Sequence, residues 1–272
     1  MTFAKLMSGA CKVSPDKRDY SLLHTYGAMT PDPSSLPDDF SIYDGRPIPN
    51  QQESDSRFNP PLPALPFGCT GESGAFDSGL QDNELYDPSD LYLNTPPGGD
   101  GGRDIRAMLK TLMERGPRRP DGSFGPKRLA YFNCYGAGKI DDFDAARIAL
   151  WINQYERRGV YIGSYWYWQA AENGILQLPS FVTAEASLHC YLATGWAKKN
   201  GRLYIEAIPW VGESFGEKGK IYISREIYNA LMQQPWTGAF TITKQPSKTP
   251  VPIGYTAVID HLVYFIRNLF GL

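Results

Sequence analysis

The chain is poor in the residues that metal and redox chemistry draw on. Its 272 residues include only three histidines, His24, His189 and His261, and four cysteines, Cys11, Cys69, Cys134 and Cys190. The cysteine spacing matches no zinc pattern, so we expect no metal and no other cofactor. An excess of one charge is also missing: 27 Lys and Arg stand against 29 Asp and Glu, a net charge of −2. No basic stripe interrupts that balance, which removes the electrostatic case for nucleic acid as a partner. No run of about 18 apolar residues occurs, so no transmembrane segment is expected. Met1 to Ala10 carries one lysine and a weak apolar run, short of the apolar core of a secretion signal. The expectation is cytoplasmic synthesis, and with it free thiols in preference to two disulfides.

What is present suffices for a large core. Hydrophobic residues make up 42% of the chain and aromatics 13%, with 17 tyrosines. Residues 1–65 are rich in Pro and Asp; Pro47, Pro49, Pro60, Pro61 and Pro63 forbid a regular helix, and we read an arm laid over a folded body, with disorder near 50–60. Residues 66–235 read as the domain, and 236–272 as a linker followed by an apolar helix over 256–270. That last helix is too short to span a bilayer; it packs on the body, on another chain or on a membrane surface. Other protein chains, held through the arm and this helix, are the expected partners.

Within the domain, Ala75, Phe76, Leu80 and Leu85 predict a helix over 73–86, entered through the Gly-punctuated stretch Pro66-Phe67-Gly68-Cys69-Thr70-Gly71-Glu72. Ile105, Met108, Leu109, Leu112 and Met113 share one face of a second helix, and Asp141 and Asp142 can cap a third through about Arg157. After Gly159 the pattern is strand-like: 160–168, 188–194, 203–207 and 220–223. Helices first and antiparallel strands second predict an α+β fold of two lobes.

Several of these segments together resemble the papain-like cysteine peptidases. Gly68 to Phe76 is similar to the turn and helix start that carry the family nucleophile, and aligning Ala75-Phe76 with the family's Ala-Phe pair puts Ser73 at that position. His189-Cys190-Tyr191-Leu192-Ala193-Thr194-Gly195-Trp196 resembles the strand that opens with the catalytic His. Leu203 to Trp210 resembles the strand leading to Asn-Ser-Trp, and Gly216 to Ile223 the hairpin after it. Leu36-Pro37-Asp38-Asp39-Phe40 resembles the opening of the mature domain.

The resemblance implies a papain-like two-lobe fold over roughly residues 36–232, and a site that needs a Cys thiolate at a helix start, a His, an Asn orienting the His and a Gln donating to the oxyanion. In this register only His189 is in place. Ser73 replaces the Cys, Ile208 the Asn and Phe67 the Gln. The leading expectation is therefore a non-catalytic relative with a structural or binding role, such as a component of a phage particle. The alternative is a peptidase or related hydrolase using Ser73, or Cys69, with His189; a third reading is a carbohydrate- or peptide-binding module whose groove is lined by Tyr165, Trp166 and Trp210. Ser73 itself reads more simply as a helix N-cap. Cys69, placed before the helix start, is expected to miss both the helix dipole and His189, and His189 to be either a residual base or a buried ring held by a backbone carbonyl.

Overall fold

In the computed structural model the described residues are 21–27, 30–97, 102–166, 169–170, 172–177, 187–234 and 237–244. The expected 256–270 helix lies outside them, as do residues 1–20. The chain forms a short helix α1 (Leu22–Tyr26), a two-residue strand β1 (Phe40–Ser41), and then three helices, α2 (Cys69–Asp82), α3 (Pro88–Asn94) and α4 (Ile105–Arg115). Strand β2 (Arg128–Asn133) and helix α5 (Asp142–Ile152) follow, and then strands β3 (Val160–Trp166), β4 (Gln169–Ala170), β5 (Leu176–Gln177), β6 (Ser187–Lys199), β7 (Arg202–Ile208) and β8 (Ile221–Ser224). Helix α6 (Arg225–Met232) and strand β9 (Gly238–Lys244) complete the described chain.

Strands β2, β9, β3, β6, β7 and β8 lie side by side in that order in one antiparallel sheet, with β1 paired to β6. One core cluster runs from α2, α4 and α5 through β3, β6, β7 and β9. Helix α4 follows its sequence pattern: Ile105, Met108, Leu109 and Leu112 are all buried, and Asp104 caps it by accepting from the Ala107 N–H. Asp141 caps α5 in the same way, accepting from the Asp144 N–H.

Residues 36–65 lie against the body: Leu36, Ile42, Ile48 and Phe58 are buried, and the Trp196 indole donates to the Pro37 carbonyl. Three expectations need correction. Gln51, Asp55 and Phe58 being buried removes the expected disorder near 50–60. The segment after Gly159 is not all strand, because Ser224 caps α6 through the Ile227 N–H and Tyr228 and Leu231 are buried along it. Finally, residues 238–244 are no linker. As β9 they pair with both β2 and β3, so the apolar Ala239, Phe240 and Ile242 are buried inside the sheet.

Helix α2 is the axis of the helical layer, and its residues 69–80 are all buried. Its glycines serve close approach rather than unusual backbone conformations. A methyl group at Gly71 would stand 2.5 Å from the Pro88 carbonyl oxygen, whereas one at Gly74 would meet the side-chain ends of Leu91 and Met108 at 2.4 and 2.6 Å. The Pro88 oxygen is fixed in α3; the ends of Leu91 and Met108 can turn. Helix propensity favours alanine over glycine by about 1 kcal/mol, and overpacking a rigid neighbour costs about 1–3 kcal/mol. Gly71→Ala is therefore expected to lower the urea midpoint, by about 1–2 kcal/mol in stability, and Gly74→Ala to leave it nearly unchanged.

Candidate active site

The helix that carries the site starts one turn earlier than its apolar spacing suggests. Gly68 occupies the N-cap position without a side-chain bond, and Cys69 is the first residue of α2. The positive end of the helix dipole and the first-turn N–H groups therefore act at Cys69. This reverses the expectation that Cys69 lies outside the helix. The thiol also meets strand β6, because the Cys190 backbone N–H donates to Cys69 Sγ at 3.3 Å. Cys190 directly follows His189, so helix start and histidine strand come together at Cys69.

Ser73 is not an N-cap. It stands in the second turn, fully buried, and its Oγ accepts the Trp210 indole N–H at 2.8 Å and the Cys190 S–H at 3.3 Å. Those two bonds tie α2, β6 and the turn after β7 together, and they leave the hydroxyl facing protein rather than a cleft. Cys190 does point into the core, as its place in the strand predicts.

His189 is fully buried, and its Nε2 lies 2.8 Å from the Pro209 carbonyl oxygen. A carbonyl only accepts, so the bond places the proton on Nε2 and leaves the Nδ1 lone pair in the neutral ring. Ile208, at the family's Asn position, is buried opposite Leu192 in the β6–β7 ladder and offers no side-chain partner. The backbone of the next residue orients the imidazole instead. That backbone is itself held: Trp210 has a left-handed φ of 61°, its ring meets Phe76 edge-on at 5.2 Å, and its carbonyl accepts the Gln51 N–H at 3.1 Å. A bulky residue in this conformation persists only where its surroundings impose it.

Phe67 is 39% exposed and contributes no donor. The amide that reaches the helix entrance is that of Gln51, which is buried; its Nε2 donates to the Pro66 carbonyl at 3.1 Å, and the Gln51 backbone carbonyl accepts the Leu65 N–H at 2.8 Å. Gln51 was missed because residues 52–65 separate it from Cys69 in the sequence. The signal for it was the pair Gln51-Gln52 standing just ahead of a Pro-rich insertion that returns to Gly68-Cys69.

Of the expected groove aromatics, Trp210 is buried in the core and cannot line an open groove. Tyr165 is half-buried against the core, and the side chain of Trp166 lies outside the described residues. Burial pushes the Cys69 thiol up to about 12, against the lowering effect of the Cys190 N–H and of Thr70. As it stands the sulfur is a neutral thiol. Cys69, Cys134 and Cys190 are free; Cys11 lies outside the described residues. Among the described residues no cluster of three or more His, Cys, Asp and Glu could hold a metal, and no helix is long and apolar enough to cross a membrane.

No protein-family model matches this chain, and no curated protein matches it in sequence. Solved structures do resemble it. Xylellain, a cysteine protease from Xylella fastidiosa, superposes with a TM-score of 0.61 at 16% identity, covering 89% of this chain and 97% of its own. The digestive procathepsin L2 proteinase of Tenebrio molitor larval midgut gives 0.63 at 13% identity, covering 89% and 81%. Procathepsin B S9 from Trypanosoma congolense gives 0.56 at 12% identity, covering 90% and 88%. The helical layer packed on an antiparallel sheet is thus the papain-like α+β fold.

Proposed function

We propose that the protein is a papain-like cysteine peptidase whose nucleophile is Cys69, with His189 as its acid–base partner. The observation that carries this reading is the 3.3 Å bond from the Cys190 N–H to Cys69 Sγ, which seats a helix-start thiol beside the residue following the histidine. In this reading Cys69 passes its proton to His189 Nδ1, and the sulfur attacks the carbonyl carbon of a peptide bond. The oxyanion is met by the first-turn N–H groups of α2 and the Gln51 amide. The imidazolium returns the proton to the leaving amine, and water then hydrolyses the thioester. The Pro209 carbonyl holds the ring in the tautomer this sequence requires.

A second reading, a papain-like protein that binds or builds without turnover, draws on different observations. Cys69 and His189 have no exposed surface, the thiol is held far above neutrality, and Ile208 supplies no amide. A place in a virion belongs with this reading; it was prompted by the Pro-rich arm and the 256–270 segment, and the latter lies outside the described residues. One labelling experiment separates the two. At pH 7.5 an epoxide directed at active-site thiols is expected to modify Cys69, seen by peptide mass spectrometry, in the native chain and not in His189→Ala. A chain that stays unlabelled supports the non-catalytic reading, and label that persists in His189→Ala removes the histidine from the mechanism.

A further inference from the structure

Residues 52–65 leave the body at Gln51 and return at Pro66, and both ends are tied together: the Gln51 and Gln52 Nε2 groups donate to the Pro66 carbonyl at 3.1 and 3.4 Å. Asp55 and Leu62 exchange backbone bonds across the excursion at 2.8 and 3.2 Å, and the Leu65 side chain fills the space beside Gly68, next to the nucleophile. One side-chain cluster joins the far part of this segment to α2. Arg57 grips Asp55 through Nε and Nη2 at 2.6 to 3.1 Å and reaches Glu72 of α2 at 3.5 Å. Asp55 and Glu72 are both buried, and Glu72 lies one turn beyond Cys69 on the same helix. We propose that residues 52–65 are a strap over the Cys69 site, latched to α2 through Glu72, which closes when Glu72 is protonated and opens when it ionises.

The charge arithmetic of the cluster gives the direction. Two carboxylates share one guanidinium, and Asp55 already holds it by short bonds, so an ionised Glu72 adds a surplus buried negative charge. The charged groups facing Glu72 are Arg57 and Asp55 from the strap and Asp87, the N-cap of α3. Of these only Arg57 favours the anion. The helix dipole favours it too, but weakly compared with the loss of water around a carboxylate. Burial accordingly lifts the Glu72 carboxyl up to about 7. In an open strap the group returns to its ordinary value near 4.5. The native closed state then holds a proton that the open state releases, so opening grows as pH rises through that window and levels off above it. This ties access to the proposed nucleophile to neutral pH, and for that consequence it rests on the Cys69 reading.

Hydrogen exchange on the full chain tests the latch without using activity. The amides of Asp55, Leu62 and Leu65 report strap opening once corrected for intrinsic exchange at each pH. Their protection is expected to fall by about tenfold per unit from pH 5 and to level near pH 7, while β6 and β7 amides show no such step. Glu72→Gln, which cannot ionise, is expected to keep the strap protected throughout. Asp55→Asn hands Arg57 to Glu72 alone and is expected to move the step to lower pH, a change that loss of a merely structural contact would not produce; it also decides the matter if Glu72→Gln fails to fold. At pH 7.5 the Glu72→Gln protein should take epoxide at Cys69 about tenfold or more slowly than the native chain. A native chain with no exchange step, or a step that survives in Glu72→Gln, overturns the latch. An exchange step in a chain whose Cys69 never takes label leaves the latch standing and overturns the peptidase instead.

Discussion

On the proposed peptidase reading, Cys69→Ala is expected to abolish peptide hydrolysis, a fall in kcat on the order of 10⁴ or more, while Ser73→Ala leaves the chemical step within about tenfold. The two residues lie one helical turn apart on the same face of α2, so the comparison separates nucleophile from scaffold at nearly one place. Without the Cys69 sulfur no covalent intermediate forms, and the remaining donors only hold substrate. Ser73→Ala instead leaves the Trp210 indole N–H without its acceptor inside the core, a loss of about 1–3 kcal/mol in stability. A fluorogenic peptide assay alongside a thermal melt reads both. The opposite pattern, with hydrolysis surviving in Cys69→Ala and lost in Ser73→Ala, would return the nucleophile to the serine and discard the present assignment.

The largest effect on stability is expected at Asp77. Its carboxylate is fully buried and joins α2 to the start of β3, accepting the Gly159 N–H at 2.7 Å and the Tyr161 hydroxyl at 2.6 Å, with the Gln81 amide at 2.7 Å. Asp77→Ala strands two buried donors and opens a cavity. The combined loss is about 3–5 kcal/mol, which for a chain of this size lowers Tm by about 10 °C. Asp77→Asn keeps shape and the Gly159 bond but cannot accept from every donor, so its loss is smaller. The pH dependence has a definite sign. Burial raises the Asp77 carboxyl above its ordinary 3.8, so the folded chain binds this proton more tightly than the unfolded one. Its contribution is fully present in acid and shrinks as pH climbs through the folded value. The gap between native and Asp77→Ala is therefore widest at low pH; a gap that widened towards alkaline pH would contradict this account of the site.

Much of the frame could be read from residue patterns. Ile105, Met108, Leu109 and Leu112 fixed α4, Asp141 announced α5, and the β-branched and aromatic runs marked β3, β6, β7 and β8. The order of helices and strands, with the His189 strand, led to the papain-like fold. The site was read less well, for a physical reason. Helix α2 buries polar residues on every side: Thr70, Glu72, Ser73, Asp77 and Ser78 are all inside. Such a helix has no apolar stripe, so its start was placed by Ala75 and Phe76 and came out one turn late. That single shift of register separates the expected nucleophile position, Ser73, from the proposed one, Cys69, and the expected oxyanion position, Phe67, from the proposed donor, Gln51. For His189, one of the two expectations, a buried ring held by a backbone carbonyl, agrees with its contact to Pro209; which carbonyl it would be was illegible, because side-chain identity does not encode a backbone partner. Helix α6 was within reach, since Ser224 precedes Ile227, Tyr228 and Leu231 at helical spacing, but the neighbouring strands masked it.

The place of β9 bears on how the molecule is made. Its seven residues enter the sheet between β2 and β3, more than a hundred positions after β2 has been synthesised. Until residue 244 leaves the ribosome, the facing edges of β2 and β3 stay unpaired, and β3 is the strand on which the histidine-bearing β6 rests. Open edges of that kind recruit other strands. The nascent chain thus carries an adhesive intermediate from the completion of β3 until β9 is made, and a stop codon placed before residue 238 would yield inclusion bodies rather than a weakened fold.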